Sequence, residues 1–336
     1  MKRMEAALKI NSHMSIRWAI LSLLALCSCS TDVGRQSAEN VSARGTWSAL
    51  VPMPIEIGEV TVAANGGKIY VIGGSTGDVV DQKLNQEYDI ATNSWRNRAP
   101  LPRGMTHAAA TALNGKIYVV GAFTASGHGN AVNWVYEYDP VTDSWRERAS
   151  LKAPRGSVGV TVLNGKIHAI GGRGVDKMTV TTHEVYDPVS NRWNELAPLP
   201  KARDHLAVVA ADGFIHVIGG RLDASSQNVD LHDVYNPATN SWQAGAPLPT
   251  ARSGVAGVLY QGKIFVAGGV CRDKKTYPEM EGFDLKTGRW ASYTPMVKGR
   301  HGFGGVAVGR NLYYAGGAVE CGGGGRSNEL LMFNLS

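Results

Sequence analysis

Charge, cysteine and long apolar runs are all scarce in this sequence. Lys, Arg, Asp and Glu make up 18% of 336 residues. No basic stripe with interleaved aromatics occurs, so the electrostatic footprint of a nucleic-acid binder is missing. The formal net charge of +6 does not alter this, because Lys2, Arg3, Lys9 and Arg17 against Glu5 place +3 of it in residues 1–28. The apolar run from Ala19 to Leu26 is too short to span a bilayer. The four cysteines form no CxxC pair, which removes the usual zinc and dithiol motifs. No Ser-His-Asp order or HExxH is present, and Gly322–Gly325 is not followed by the Lys-Ser/Thr of a phosphate loop.

What is there begins with a leader. Arg17 ahead of the apolar run marks residues 1–28 as a signal peptide. Its end, Leu26-Cys27-Ser28-Cys29, is similar to a bacterial lipobox, in which a small residue precedes an acylated cysteine. Cys29 fits with Ser28 at −1 and Leu26 at −3, whereas Cys27 would place Leu26 at −1. An ordinary signal peptide with incidental cysteines is the alternative, and Met14 offers a second start besides Met1. Residues 29–44 are small and polar and read as a flexible tether. The expected location is the bacterial periplasm or outer-membrane surface, with only a lipid anchor in the membrane.

Residues 45–336 carry a repeat. Six times a tryptophan stands 26 residues ahead of a glycine that closes an apolar run: Trp47 and Gly73, Trp95 and Gly121, Trp145 and Gly171, Trp193 and Gly219, Trp242 and Gly268, Trp290 and Gly316. A period near 50 residues is the mark of a β-propeller. Each unit reads as strand a, a tight turn such as Asn114-Gly115 or Asn164-Gly165, strand b, a variable loop, strand c and strand d. Gly316 needs its own tryptophan about 22 residues on, where the chain has run out, and Trp47 at the other end fills that place. The last blade is therefore closed by the N-terminal strand.

Strand b ends in Gly-Gly in five units and in Gly121-Ala122 in the second. Strand c ends in Tyr138-Asp139-Pro140, Tyr186-Asp187-Pro188 or a relative, with the tryptophan six residues past the Asp. These residues resemble the kelch repeat. The resemblance implies an all-β, six-bladed propeller of four-stranded blades and gives the six tryptophans a structural role between blades. A monomer is expected.

Loops b–c and d–a emerge on one face, so that face is the candidate site. Arg103, Arg155, Arg203, Arg252 and Arg300 precede strand a, and Arg173, Arg221, Arg272 and Arg326 follow the strand b glycines. Together with Glu56 they are expected to form a broken cationic ring at the channel mouth, suited to carboxylates or phosphates. An arginine before strand a also belongs to the kelch pattern, where it often bonds loop carbonyls. His107, His205 and His301 join the same loops. His107 and His205 share an offset of 14 residues before the glycine but belong to non-adjacent blades, so a shared metal ion is not expected. No cofactor is expected. Copper chemistry of the kind some kelch propellers perform needs a Tyr–Cys–His constellation, and none is found. Cys271 and Cys321 lie in neighbouring b–c loops and either form a disulfide or remain two thiols.

The expected function is that of a binding scaffold for a glycan or protein partner, not an enzyme. The alternative is a sugar mutarotase, because exported kelch propellers similar to this pattern include N-acetylneuraminate epimerases. Anomerisation needs an acid and a base across the sugar ring, with Glu56, His107 and His205 as candidates and Arg203 for the sugar carboxylate. A structural role in envelope assembly is the third reading.

Overall fold

The computed structural model describes residues 44–223, 227–270 and 275–335. The leader, Cys27, Cys29 and most of the tether lie outside the described residues, as do Cys271 and Arg272. Cys321 is disulfide-bonded.

The chain forms six four-stranded antiparallel sheets. Five are built from consecutive strands, the first from Thr61–Asn65, Lys68–Ile72, Asn85–Asp89 and Ser94–Asn97. The sixth takes Gly304–Val308, Asn311–Ala315 and Leu330–Asn334, and its outer strand is Thr46–Ala49. Trp47 stands opposite Phe333 in that pair, as ring closure requires. Strand a of each blade packs on strand a of the next, around a central channel. The Asn-Gly turns have positive φ at both central residues, 52° and 75° at Asn114-Gly115, as a type I′ hairpin needs.

The tryptophans tie blade to blade. Each indole donates to a backbone carbonyl of the preceding unit, from Trp95 to Val51 (2.9 Å) through Trp193 to Ala149 (2.7 Å), and Trp47 closes the circle on Thr294 (2.8 Å). Beneath each lies the strand c aromatic, Tyr186 under Trp193 at 5.1 Å and Phe333 under Trp47 at 4.8 Å between centroids.

The third and fourth blades each bury a pair of histidines. His168 Nδ1 meets His183 Nε2 at 2.9 Å, and His216 Nδ1 meets His232 Nε2 at 2.9 Å. Burial drives His168 to about 4, His183 to about 3 and His216 to about 4, and His232 also falls. The unfolded chain binds these protons near 6.5. Their contribution to stability is therefore complete above pH 6.5 and is lost as the pH drops toward 4 and 3. The unfolding free energy from urea titration, and its midpoint with it, should fall already between pH 6.5 and 4.5, the free energy by up to about 1.4 kcal/mol per pH unit per histidine. A midpoint that stays level over that window would show that the histidines are charged in the fold.

Candidate functional site

The site begins with one backbone position. The residue 14 places before each strand-closing glycine is left-handed in all six units: Glu59 (φ 55°), His107 (54°), Ser157 (51°), His205 (54°), Gly254 (68°) and Gly302 (61°). Glycine reaches this region freely, whereas a residue with a Cβ does so at a cost of about 1–2 kcal/mol. These positions form a belt across the blades: His107 N bonds Glu59 O (3.1 Å), Ser157 N bonds His107 O (2.9 Å), His205 N bonds Ser157 O (3.3 Å) and Gly254 N bonds His205 O (2.8 Å). Four polar side chains thus gather at the axis. Gly302, next in the belt, makes room for one of them, since a Cβ there would come within 2.5 Å of the Glu59 carboxyl carbon.

The second unit adds a seventh member. Gly74, Gly172 and Gly220, the second glycines of their pairs, have φ near 100°, which Ala122 does not adopt. The strand therefore does not break off there. It shifts register between Val120 and Ala122 and runs on as Lys116–Ala125, paired with Gly129–Asp139. The hairpin turns at Gly127-His128, both with positive φ (60° and 59°), and Gly129 N bonds Ser126 O at 3.1 Å. This reach carries His128 over the channel mouth.

There His128, His107 and His205 stack mutually edge to face. Their ring centroids are 4.8 Å (His107–His128), 5.4 Å (His107–His205) and 5.2 Å (His128–His205) apart. The expected separation of His107 and His205 is corrected: blades narrow toward the axis, so equivalent positions two blades apart come into contact. With Glu59, Arg221 and His301 these histidines line a pocket of about 340 Å³.

Charges in the pocket are ordered. Glu59 Oε2 lies 3.1 Å from His107 Nε2 and its Oε1 lies 3.3 Å from His301 Nδ1. Burial alone would raise the Glu59 carboxyl, but the neighbouring His107 and the hydrogen bond and charge of His301 hold it well below the usual range. For His301, burial pulls down and the bond to Glu59 more than offsets it, so its pKa rises. Burial drives His107 to about 4, and lowers His128 and His205 as well. Asp204 stays ionised despite burial, held by His205, Arg221 and Arg173. Its Oδ1 accepts from Arg221 Nε (2.9 Å) and its Oδ2 from Arg173 Nε (2.6 Å). The pocket therefore offers imidazoles pushed toward their neutral form, a carboxylate beside a histidine that holds its proton more firmly, and two guanidiniums.

The arginines divide differently from the expected ring. Arg155, Arg203, Arg252 and Arg300 are 0–1% exposed and sit inside the blades. They pair with Glu184, Asp233 (2.7 Å), Glu281 and Glu329 (2.5 Å), and bond strand carbonyls, as Arg203 does with Gly219 O (2.9 Å). Arg103 stacks over Trp134 at 4.7 Å, and Arg173 is buried and bonded to Lys177 O, Asp223 O and Asp204. Only Arg221 and Arg326 of those described line the pocket. Glu56 is exposed and lines none of it; the carboxylate of the belt is Glu59. Glu59 shares the very offset that singled out His107 and His205, whereas His128 was signalled only by Gly121-Ala122 and the Gly127-His128 turn.

Comparison with known proteins supports this architecture. The KLHDC2/KLHL20/DRC7 kelch-repeats domain family matches residues 29–220, more than half of the chain. No curated protein matches. A solved structure, that of YjhT, superposes with a TM-score of 0.73 at 18% identity, covering 84% of this chain and 96% of that one. At that identity it shows the fold alone.

Proposed function

This chain belongs to the kelch-repeat propeller family, and from that premise we propose that it is an exported binding protein that takes a small acidic ligand, a carboxylate-bearing sugar, in the pocket on its b–c/d–a face. One observation carries the reading. Four polar side chains are kept at strained, left-handed positions around the axis where glycine would serve the fold, and such strain gathers at working sites. Arg221 and Arg326 at the pocket suit a carboxylate. Export rests on the leader sequence, and the Cys29 anchor with it.

Calorimetry with N-acetylneuraminate against the neutral N-acetylglucosamine tests it. Saturable binding of the acid alone is expected, weakened about 10- to 100-fold by Arg326→Ala or Arg221→Ala and by added salt. Arg103→Ala, away from the pocket, should leave affinity unchanged. Affinity that ignores both pocket arginines and salt would refute the reading.

A second reading has its own observation. Glu59 and His301 form a carboxylate–imidazole pair in the pocket, 3.3 Å apart, one general acid–base unit of the kind that anomerisation uses. Faster exchange between sugar anomers, followed by NMR and abolished by Glu59→Gln, would make the protein a mutarotase.

A further inference from the structure

We propose that His107, His128 and His205 form a site for a divalent transition-metal ion, with its open position facing the pocket. One nitrogen from each ring lies within 4.8 Å of the others. With metal–nitrogen bonds of about 2.0–2.1 Å, three imidazoles of a tetrahedral set have centroids about 5 Å apart. The observed triangle of 4.8, 5.2 and 5.4 Å has that size. The nitrogens, all within 4.8 Å of one another, need to turn inward to the spacing of about 3.3 Å that a tetrahedral set takes.

Outer groups fit as well. Metal-binding histidines characteristically direct their second ring nitrogen to a carboxylate, which fixes the tautomer. His107 Nε2 faces Glu59 Oε2 at 3.1 Å, and His205 Nδ1 faces Asp204 Oδ1 at 3.1 Å. The other nitrogen of each ring meets a hydroxyl, His107 Nδ1 with Thr106 Oγ1 at 3.0 Å and His205 Nε2 with Ser157 Oγ at 3.3 Å, and an ion would displace these donors. Arg221 shows where lone pairs converge. Its Nη2 donates to His128 Nε2 at 3.0 Å and reaches His205 Nε2 at 3.4 Å. A guanidinium only donates, so His128 Nε2 bears a lone pair. An ion would take that place, with the guanidinium moving aside. Three imidazoles favour zinc, copper, nickel or cobalt over magnesium or calcium, and three protein ligands leave a fourth position for water or an anionic oxygen. The ion is a claim separate from the sugar: it needs no second ligand to bind.

The test uses untagged, chelator-treated protein and the metal alone. Titration with Co²⁺ should give one saturable equivalent and the visible absorption of a tetrahedral site. Zn²⁺ should displace it, and Ca²⁺ should not. His128→Ala, at a half-buried hairpin tip over the pocket, should weaken binding at least about 100-fold, because even outer-shell changes cost about 10- to 100-fold. Arg221→Ala should tighten it by removing a competing cation. His205→Gln is the second ligand variant, with thermal unfolding confirming its fold. The proposal is overturned if no stoichiometric Co²⁺ complex forms, or if it survives His128→Ala with unchanged affinity.

Discussion

A chain lacking residues 45–54 should fail to give a cooperative, monomeric propeller. That segment supplies the outer strand of the sixth blade, with Thr46 to Ala49 paired on Asn334 to Leu331. It also makes the passage into the first blade, where Leu50 N bonds Leu330 O (2.9 Å) and Met53 N bonds Asn328 O (2.7 Å). Met53 is 1% exposed, and Trp47 packs on Tyr314 at 5.4 Å and on Phe333 at 4.8 Å. Deletion exposes the hydrogen-bonding edge of Leu330–Asn334, a template for association with another chain. The milder change Trp47→Ala removes the half-buried indole and its bond to Thr294 O and should cost about 2–3 kcal/mol. Thermal unfolding with light scattering checks both. A deletion protein that unfolds at the parental temperature as a monomer would refute velcro-like closure by Thr46–Ala49.

Closure was legible because it is a matter of counting. The tryptophan-to-glycine spacing reports blades, and the unit lacking its tryptophan reports which terminus fills the gap. The turns were legible for an equally local reason, since Asn114-Gly115 needs only its own two residues to choose a positive φ. The site was not local. Arg203 and His205 are two residues apart, yet one is buried in a blade against Asp233 and the other turns to the axis. What separates them is the left-handed backbone at His205 (54°), which a run of letters does not display for a histidine. His128 was further hidden, because its place depends on how far a hairpin extends after Ala122 replaces a glycine. The convergence of His107 and His205 belongs to the geometry of a closed ring and appears only when six blades share one axis.

The buried arginines lead to the other large effect. Arg252→Met should destabilise the protein by about 3–5 kcal/mol while leaving affinity at the pocket unchanged. Arg252 donates to Gly268 O (2.8 Å), Val266 O (2.8 Å) and Thr250 O (2.9 Å), and pairs with Glu281, which is 4% exposed. Removing the cation strands a buried carboxylate, and that uncompensated charge dominates the loss. The molecule itself contains the neutral version. In the first two blades Ile57 and Met105 stand at the arginine position, 16 residues before the glycine. There the carboxylate is gone as well: Gln86 faces Val71 and Tyr136 faces Val119, where Glu281 faces Val266. In the third, fourth and fifth blades arginine and acid are kept together at these positions, and in the sixth, where Leu331 faces Tyr314, Arg300 takes its acid from Glu329 two residues earlier, as expected if the arginine needs a carboxylate partner. The double variant Arg252→Met/Glu281→Gln should therefore recover most of the stability lost by Arg252→Met. Denaturant midpoints of the two variants decide the matter. A double variant as unstable as the single one would locate the cost in the abandoned carbonyls rather than in the stranded charge, and a loss of ligand affinity in either would return Arg252 to the binding face.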